Sequence, residues 1–204
     1  MKIKEIIRSY VLRLPFIGTY FKFRTVPSYN KSFLSYIGFW VKPNKKIYWP
    51  KEKGHKVMNA ENITLGYNSA VGSSGTYLQG AGRLIIGNNV SLARNIGIIS
   101  GNHNVYNQFK HDTKTTVIGD YTWIGMNAVI LPGIVLGPRT IVGAGSVVTK
   151  SFPEGYCVIA GNPARKVKDI DREQFIPHDL EYQFYGYVPA DKFDKFKKKH
   201  LMKK

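Results

Sequence analysis

Five histidines stand in a chain of 204 residues, at His55, His103, His111, His178 and His200, together with a single cysteine, Cys157. Imidazole exchanges a proton near neutral pH, so each histidine is a candidate general base. Their surroundings separate them. His103 lies in "IISGNHNVYN", where a regular stretch gives way to an irregular one. A rigid element on one side and a loop on the other can hold an imidazole against a cleft. The chemistry open to it is removal of a hydroxyl proton around neutral pH. His111 and Asp112 follow eight and nine residues later, but no third histidine lies in this part of the chain to complete a metal set, so no metal site is expected. The lone Cys157 excludes an intrachain disulfide framework and any cysteine-rich zinc or iron-sulfur site, and it points to a reducing compartment.

The element that must position His103 shows itself as a period of six. In "IGDYTW IGMNAV ILPGIV LGPRTI VGAGSV VTKSFP", Ile118, Ile124, Ile130, Leu136, Val142 and Val148 recur at successive six-residue steps. Upstream, Leu65 and Val71 keep one phase, and Ile86, Leu92 and Ile98 keep another after a small insertion. Six residues are too many for one helical turn and too few for a helix-containing repeat. The period therefore predicts a very short strand, an inward apolar residue and a corner, with three such strands closing a triangular coil. Gly and Asn tolerate corner dihedrals, and the small Ala128, Ala144 and Ser146 permit close stacking. About five coils of such a solenoid fit between residues 63 and 161. Residues 104–117, "NVYNQFKHDTKTTV", break the period and predict a projecting loop with His103 at its base.

The flanks differ from the middle. Ile3, Ile6, Ile7, Tyr10, Val11 and Leu14 recur at three- and four-residue spacing and predict an amphipathic helix that Pro15 ends. Packing against its own protein or a neighbour fits this face, and so does attachment to a membrane surface. The chain divides into a basic N-terminal extension (1–56), a solenoid (57–168) and a C-terminal extension (169–204), whose last residues "KFKKKHLMKK" read as a frayed tail. The C-terminal extension is expected to fold back over the helix or a neighbour and so cover the last coil.

The repeat, with "TVIGDYTWIGMNAVILPGIVLGPRTIVGAGSVVTKSFPEGYCVIAGNPARKVKDI", resembles the hexapeptide-repeat acyltransferases and is closest to their sugar O-acetyltransferase branch. The likeness covers roughly residues 60–170 and leaves both extensions outside its pattern. It implies a mainly β fold, a left-handed parallel β-helix, assembled as a homotrimer with active sites between subunits. It implies His103 as the catalytic base and acetyl-CoA as co-substrate. Trp123 would face the coenzyme, Ala144 would leave room for the pantetheine arm, Thr149 and Lys150 would lie near the nucleotide end, and Arg165 and Lys166 would pair with its phosphates. Some relatives orient the base with an upstream carboxylate. Here the preceding coil offers Asn88, Asn89 and Asn95 instead, so a backbone carbonyl or an Asn is expected to orient His103.

The implied activity is acetyl transfer to a saccharide hydroxyl, such as that of a cell-surface polysaccharide, capsule or lipopolysaccharide unit. An amino-sugar N-acetyltransferase and a non-catalytic β-helix scaffold are the alternatives. Charge bears on the partner. The net charge is +17, yet residues 57–149 hold 5 Lys+Arg against 3 Asp+Glu, while residues 1–56 hold 13 against 2. A near-neutral solenoid argues against nucleic acid, and basic flanks suit an anionic glycan or membrane face. No apolar stretch approaches the roughly 20 residues that cross a bilayer, and no cleavable leader pattern opens the chain. Cytoplasmic residence, with peripheral contact at the inner face of the cell membrane, is the expectation.

Overall fold

A computed structural model of the chain describes residues 11–26, 32–42, 45–178 and 180–202. The six-residue period becomes a three-faced β-solenoid. The first face stacks Lys56–Met58, Tyr77–Gln79, Gly97–Ile99, Val129–Ile130 and Val147–Val148. The second stacks Ile63–Leu65, Leu84–Ile86, Thr116–Ile118 and Val135–Leu136, and the third Ser91–Leu92, Trp123–Ile124, Ile141–Val142 and Cys157–Gly161. All these neighbours pair in parallel.

Register explains the periodic residues. Leu78, Ile98, Ile130 and Val148 stand opposite one another in the first sheet, Leu65, Ile86, Ile118 and Leu136 in the second, and Leu92, Ile124, Val142 and Ile159 in the third. Every one of the twelve is buried. Burial of each such aliphatic side chain contributes about 1.5–3 kcal/mol, so the columns supply the solenoid's main stabilisation. Strands of two or three residues suffice because each coil's amides donate to the carbonyls of the next coil.

The corner between the second and third faces repeats one residue per coil in the left-handed region: Asn68, Asn89, Tyr121, Arg139 and Tyr156, with φ between 45° and 59°. Asn adopts this conformation at little cost. From the second coil onward, their amides donate to the carbonyls of Tyr67, Asn88, Asp120 and Pro138 in the coil before. At Gly137 a Cβ would fall 2.1 Å from the Pro153 carbonyl oxygen, so only glycine permits this stacking distance.

The projecting loop differs from its expected bounds. It is an antiparallel hairpin of Gly101–His103 with His111–Thr113, and Thr116 and Val117, expected in the loop, belong to a second-face strand. Thr116 is buried opposite Leu84, and its hydroxyl donates to the Ile99 carbonyl at 2.9 Å, which draws it into the coil.

The N-terminal extension and the end of the C-terminal extension meet at the first coil, and the last coil, which the C-terminal extension was expected to cover, is instead edged by the return strand Ala164–Asp169. The amphipathic helix expected from Ile3 falls mainly outside the described residues; residues 11–13 are helical, and the helix stops ahead of Pro15. Helix α1 (Ile17–Phe23) and helix α2 (Phe33–Val41) follow, α2 beginning where the Ser32 hydroxyl accepts from the Ser35 amide. After the antiparallel return strand Ala164–Asp169, the chain runs back along the positive-φ corner. Phe175 packs against Tyr121 and Tyr156 and under the Arg139 guanidinium, and Phe184 exchanges backbone and Oδ1 hydrogen bonds with Asn68 in the first coil. Within the expected frayed tail, residues 195–200 are helical. Ala190–His200 form helix α3, whose Phe193 and Phe196 pack on Tyr48 and Phe39. The three helices share one aromatic core built on Tyr20, Phe23, Tyr36, Phe39 and Tyr187. Among the described residues no helix is long and apolar enough to cross a membrane.

Candidate functional site

His103 ends the first strand of the hairpin at the prism edge between the first and second faces, and it is exposed. Its Nδ1 lies 2.6 Å from the Gln108 carbonyl oxygen. A carbonyl only accepts, so Nδ1 carries the proton and Nε2 presents a lone pair. The expected backbone orienter of the base therefore comes from downstream, within the hairpin, rather than from the preceding coil.

The hairpin tip is held by asparagines. Asn104 Nδ2 donates to both Asp112 carboxylate oxygens at 3.1 and 3.0 Å, while Asn104 Oδ1 accepts from the amides of Tyr106 and Asn107. The Asn104 amide donates to the Lys110 carbonyl, and Asn107 Oδ1 accepts from the Phe109 amide. These bonds fix the turn that carries Gln108, and with it the His103 ring. His111 stands across the hairpin from His103, its ring centroid 4.5 Å away. Asp112 is engaged by Asn104, and among the described residues no group of three or more His, Cys, Asp or Glu could hold a metal ion.

Thr149 and Lys150 leave the first face at the same prism edge as His103, two coils further on, and both are exposed. With coils about 4.8 Å apart, they stand about 10 Å along the axis from the hairpin base. Between them lies Gly133, with φ of 81°, against which the Lys114 stem packs; a Cβ there would meet the Lys114 Cδ at 2.7 Å. The edge thus carries the His103 imidazole at one end and two lysines, Lys114 and Lys150, along its length. Lys114 had no sequence signal beyond its place in an irregular stretch, because its partner glycine is distant until the coils stack.

The other expected coenzyme residues lie elsewhere on the chain. Trp123 is half exposed on the third face, in a row with Ser91, Ile141 and Val158. Ala144 is exposed at the corner between the third and first faces, its amide 2.7 Å from where a Gly125 Cβ would stand. Arg165 and Lys166 lie on the return strand of the third sheet, where Lys166 pairs with Asp169 at 2.8 Å. Within one chain, His103, Thr149 and Lys150 share one prism edge, and Trp123, Ala144, Arg165 and Lys166 lie away from it. Cys157 is buried, and burial pushes its thiol up, which suits a packing role.

The family described as "Bacterial transferase hexapeptide (six repeats)" matches residues 115–150. A solved maltose O-acetyltransferase from Clostridium difficile 630 is 32% identical, with a TM-score of 0.50 over 58% of this chain and 68% of its own. The chain belongs to the hexapeptide-repeat acetyltransferases. Among these acetyltransferases, the galactoside O-acetyltransferase of Escherichia coli (strain K12) is 34% identical over 106 residues, 50% of this chain and 49% of the relative. A solved galactoside acetyltransferase in complex with coenzyme A shares the fold at a TM-score of 0.57 and 21% identity, over 88% of this chain and 98% of its own. The chain spans about half the length of the curated relatives it matches.

Proposed function

We propose that this protein transfers the acetyl group of acetyl-CoA to a saccharide hydroxyl, with His103 as general base. The observation that carries the reading is the Nδ1 contact with the Gln108 carbonyl, which leaves Nε2 free, exposed and oriented. In the proposed step Nε2 takes the hydroxyl proton as the oxygen attacks the thioester carbonyl. The tetrahedral intermediate then collapses, the carbon-sulfur bond breaks, and the imidazolium returns the proton to the departing thiolate. A backbone amide on the coil edge would bear the oxyanion.

Lys114 and Lys150 suit the coenzyme phosphates because they flank the edge that runs from His103. Trp123, Ala144, Arg165 and Lys166 lie on other faces, so a site that unites them with His103 needs a second copy of the chain. This placement supports a homotrimer with sites between subunits. The maltose and galactoside O-acetyltransferases among the relatives support a sugar acceptor. A unit of a cell-surface polysaccharide, capsule or lipopolysaccharide is the acceptor we favour, since basic extensions suit an anionic glycan.

Incubation with acetyl-CoA and a panel of neutral, anionic and amino glycans tests the reading, with mass spectrometry to locate the acetyl group. An alkali-labile ester on a hydroxyl is expected. An alkali-stable amide would make the protein an amino-sugar N-acetyltransferase, and absence of acetyl-CoA binding would make it a scaffold.

A further inference from the structure

The nine residues of α2, FLSYIGFWV, include no charged side chain. Tyr36 and Phe39 bury one side of the helix against the aromatic core, yet Leu34 and Val41, seven positions apart on the other side, are 79% and 75% exposed. Gly38 lies between them. A helix apolar on every side is ordinarily covered on every side. The exposed stripe borders a cleft of about 350 Å³, whose lining includes Leu34, Gly38, Ile47 and Trp49 together with Lys42 and Lys51. Elsewhere on the cap, helix α1 and the turn before it carry Leu14, Phe16, Ile17 and Phe21, each between 42% and 48% exposed.

Charge identifies what covers this surface. The fold brings α3 onto the N-terminal helices, so basic segments from opposite ends of the sequence meet in one cap. The described residues of 11–56 and of α3 together hold 14 Lys+Arg against 3 Asp+Glu. A second copy seated on the same surface would bring these like charges face to face, which disfavours self-association. An anionic surface with an apolar layer beneath satisfies both the lysines and the stripe.

We infer that the three-helix cap is a docking surface for an anionic lipid bilayer, with Leu34 and Val41 entering the acyl boundary while Lys42, Lys51 and the α3 lysines meet headgroups. The inference goes beyond acetyl transfer and stands without it, and its test reads lipid binding alone.

The full chain is sedimented with vesicles of phosphatidylcholine alone or of phosphatidylcholine with about one third phosphatidylglycerol. Binding to the anionic vesicles is expected to be about ten-fold or more the stronger, and to weaken as salt is raised. Leu34→Asp with Val41→Asp should lower it about ten-fold or more, and Lys42→Glu with Lys51→Glu should do the same through charge alone, at about five-fold per lysine removed. Both pairs lie on exposed or cleft-lining positions, and unchanged circular dichroism would show that the fold persists. Equal binding to both vesicles, no binding to either, or binding that neither variant alters would overturn the inference. So would an oligomer in sedimentation velocity that the Leu34 and Val41 changes abolish, because a second copy would then be the cover.

Discussion

Acid should weaken this protein through one buried imidazole. His55 sits where the first coil meets the cap, 8% exposed, with Nε2 accepting from the Trp49 indole N–H at 3.2 Å. Burial, reinforced by the nearby Lys51 charge, pushes its pKa from 6.5 down to about 4. In the unfolded chain the ring titrates at its ordinary value. Between the two values the unfolded state therefore binds the extra proton, and stability falls as pH drops. The contribution is fully present above about pH 6.5 and is lost through to about pH 4, a total of about 3 kcal/mol at 1.36 kcal/mol per unit. From about pH 7 to about pH 5 the share of His55 is about 2 kcal/mol. Urea unfolding at those two pH values, in the wild type and in His55→Gln, isolates it. The wild type should lose about 2 kcal/mol more than the variant, because carboxylates titrate alike in both. Equal losses would show that His55 is not held neutral in the folded protein.

Three further outcomes follow from the coils and the hairpin. Gly137→Ala should cost about 3 kcal/mol in chemical unfolding, since the new Cβ would stand 2.1 Å from the Pro153 carbonyl oxygen and both atoms belong to stacked backbone. Asp112→Ala, which removes both acceptors of the Asn104 amide, should lower the acetyl-transfer kcat about ten-fold with little change in coenzyme affinity; steady-state kinetics at saturating acetyl-CoA reads this. Lys114→Ala together with Lys150→Ala should raise the KM for acetyl-CoA about ten-fold and leave kcat for the same acceptor nearly unchanged, the pattern of lost uniform binding.

The coils were legible because their determinant is local. Ile118, Ile124, Ile130, Leu136, Val142 and Val148 declare a six-residue period, and each falls in a buried column. His103 was legible for a related reason, as a histidine at the point where that period breaks. The Gln108 contact was not, because a backbone carbonyl has no side-chain signature; only the asparagine-held turn puts it on Nδ1. The cap was hidden by distance in sequence. Phe196 looks like part of a basic tail, and the partners of Phe193 and Phe196, Phe39 and Tyr48, lie at the other end of the chain. Thr116 looked like loop because the phase break hides which residue resumes the coil, and its buried hydroxyl bond to Ile99 marks that place only once the coils are stacked.

Transfer of labelled acetyl from acetyl-CoA to a hydroxyl-only oligosaccharide, compared between the wild type and His103→Ala, tests the proposed activity most directly, with acetyl-CoA binding followed by calorimetry in both. A base contributes about 10²–10⁴-fold, so the variant should transfer at least about 100-fold more slowly while binding the coenzyme as the wild type does. Equal transfer by the two proteins would contradict the role given to His103.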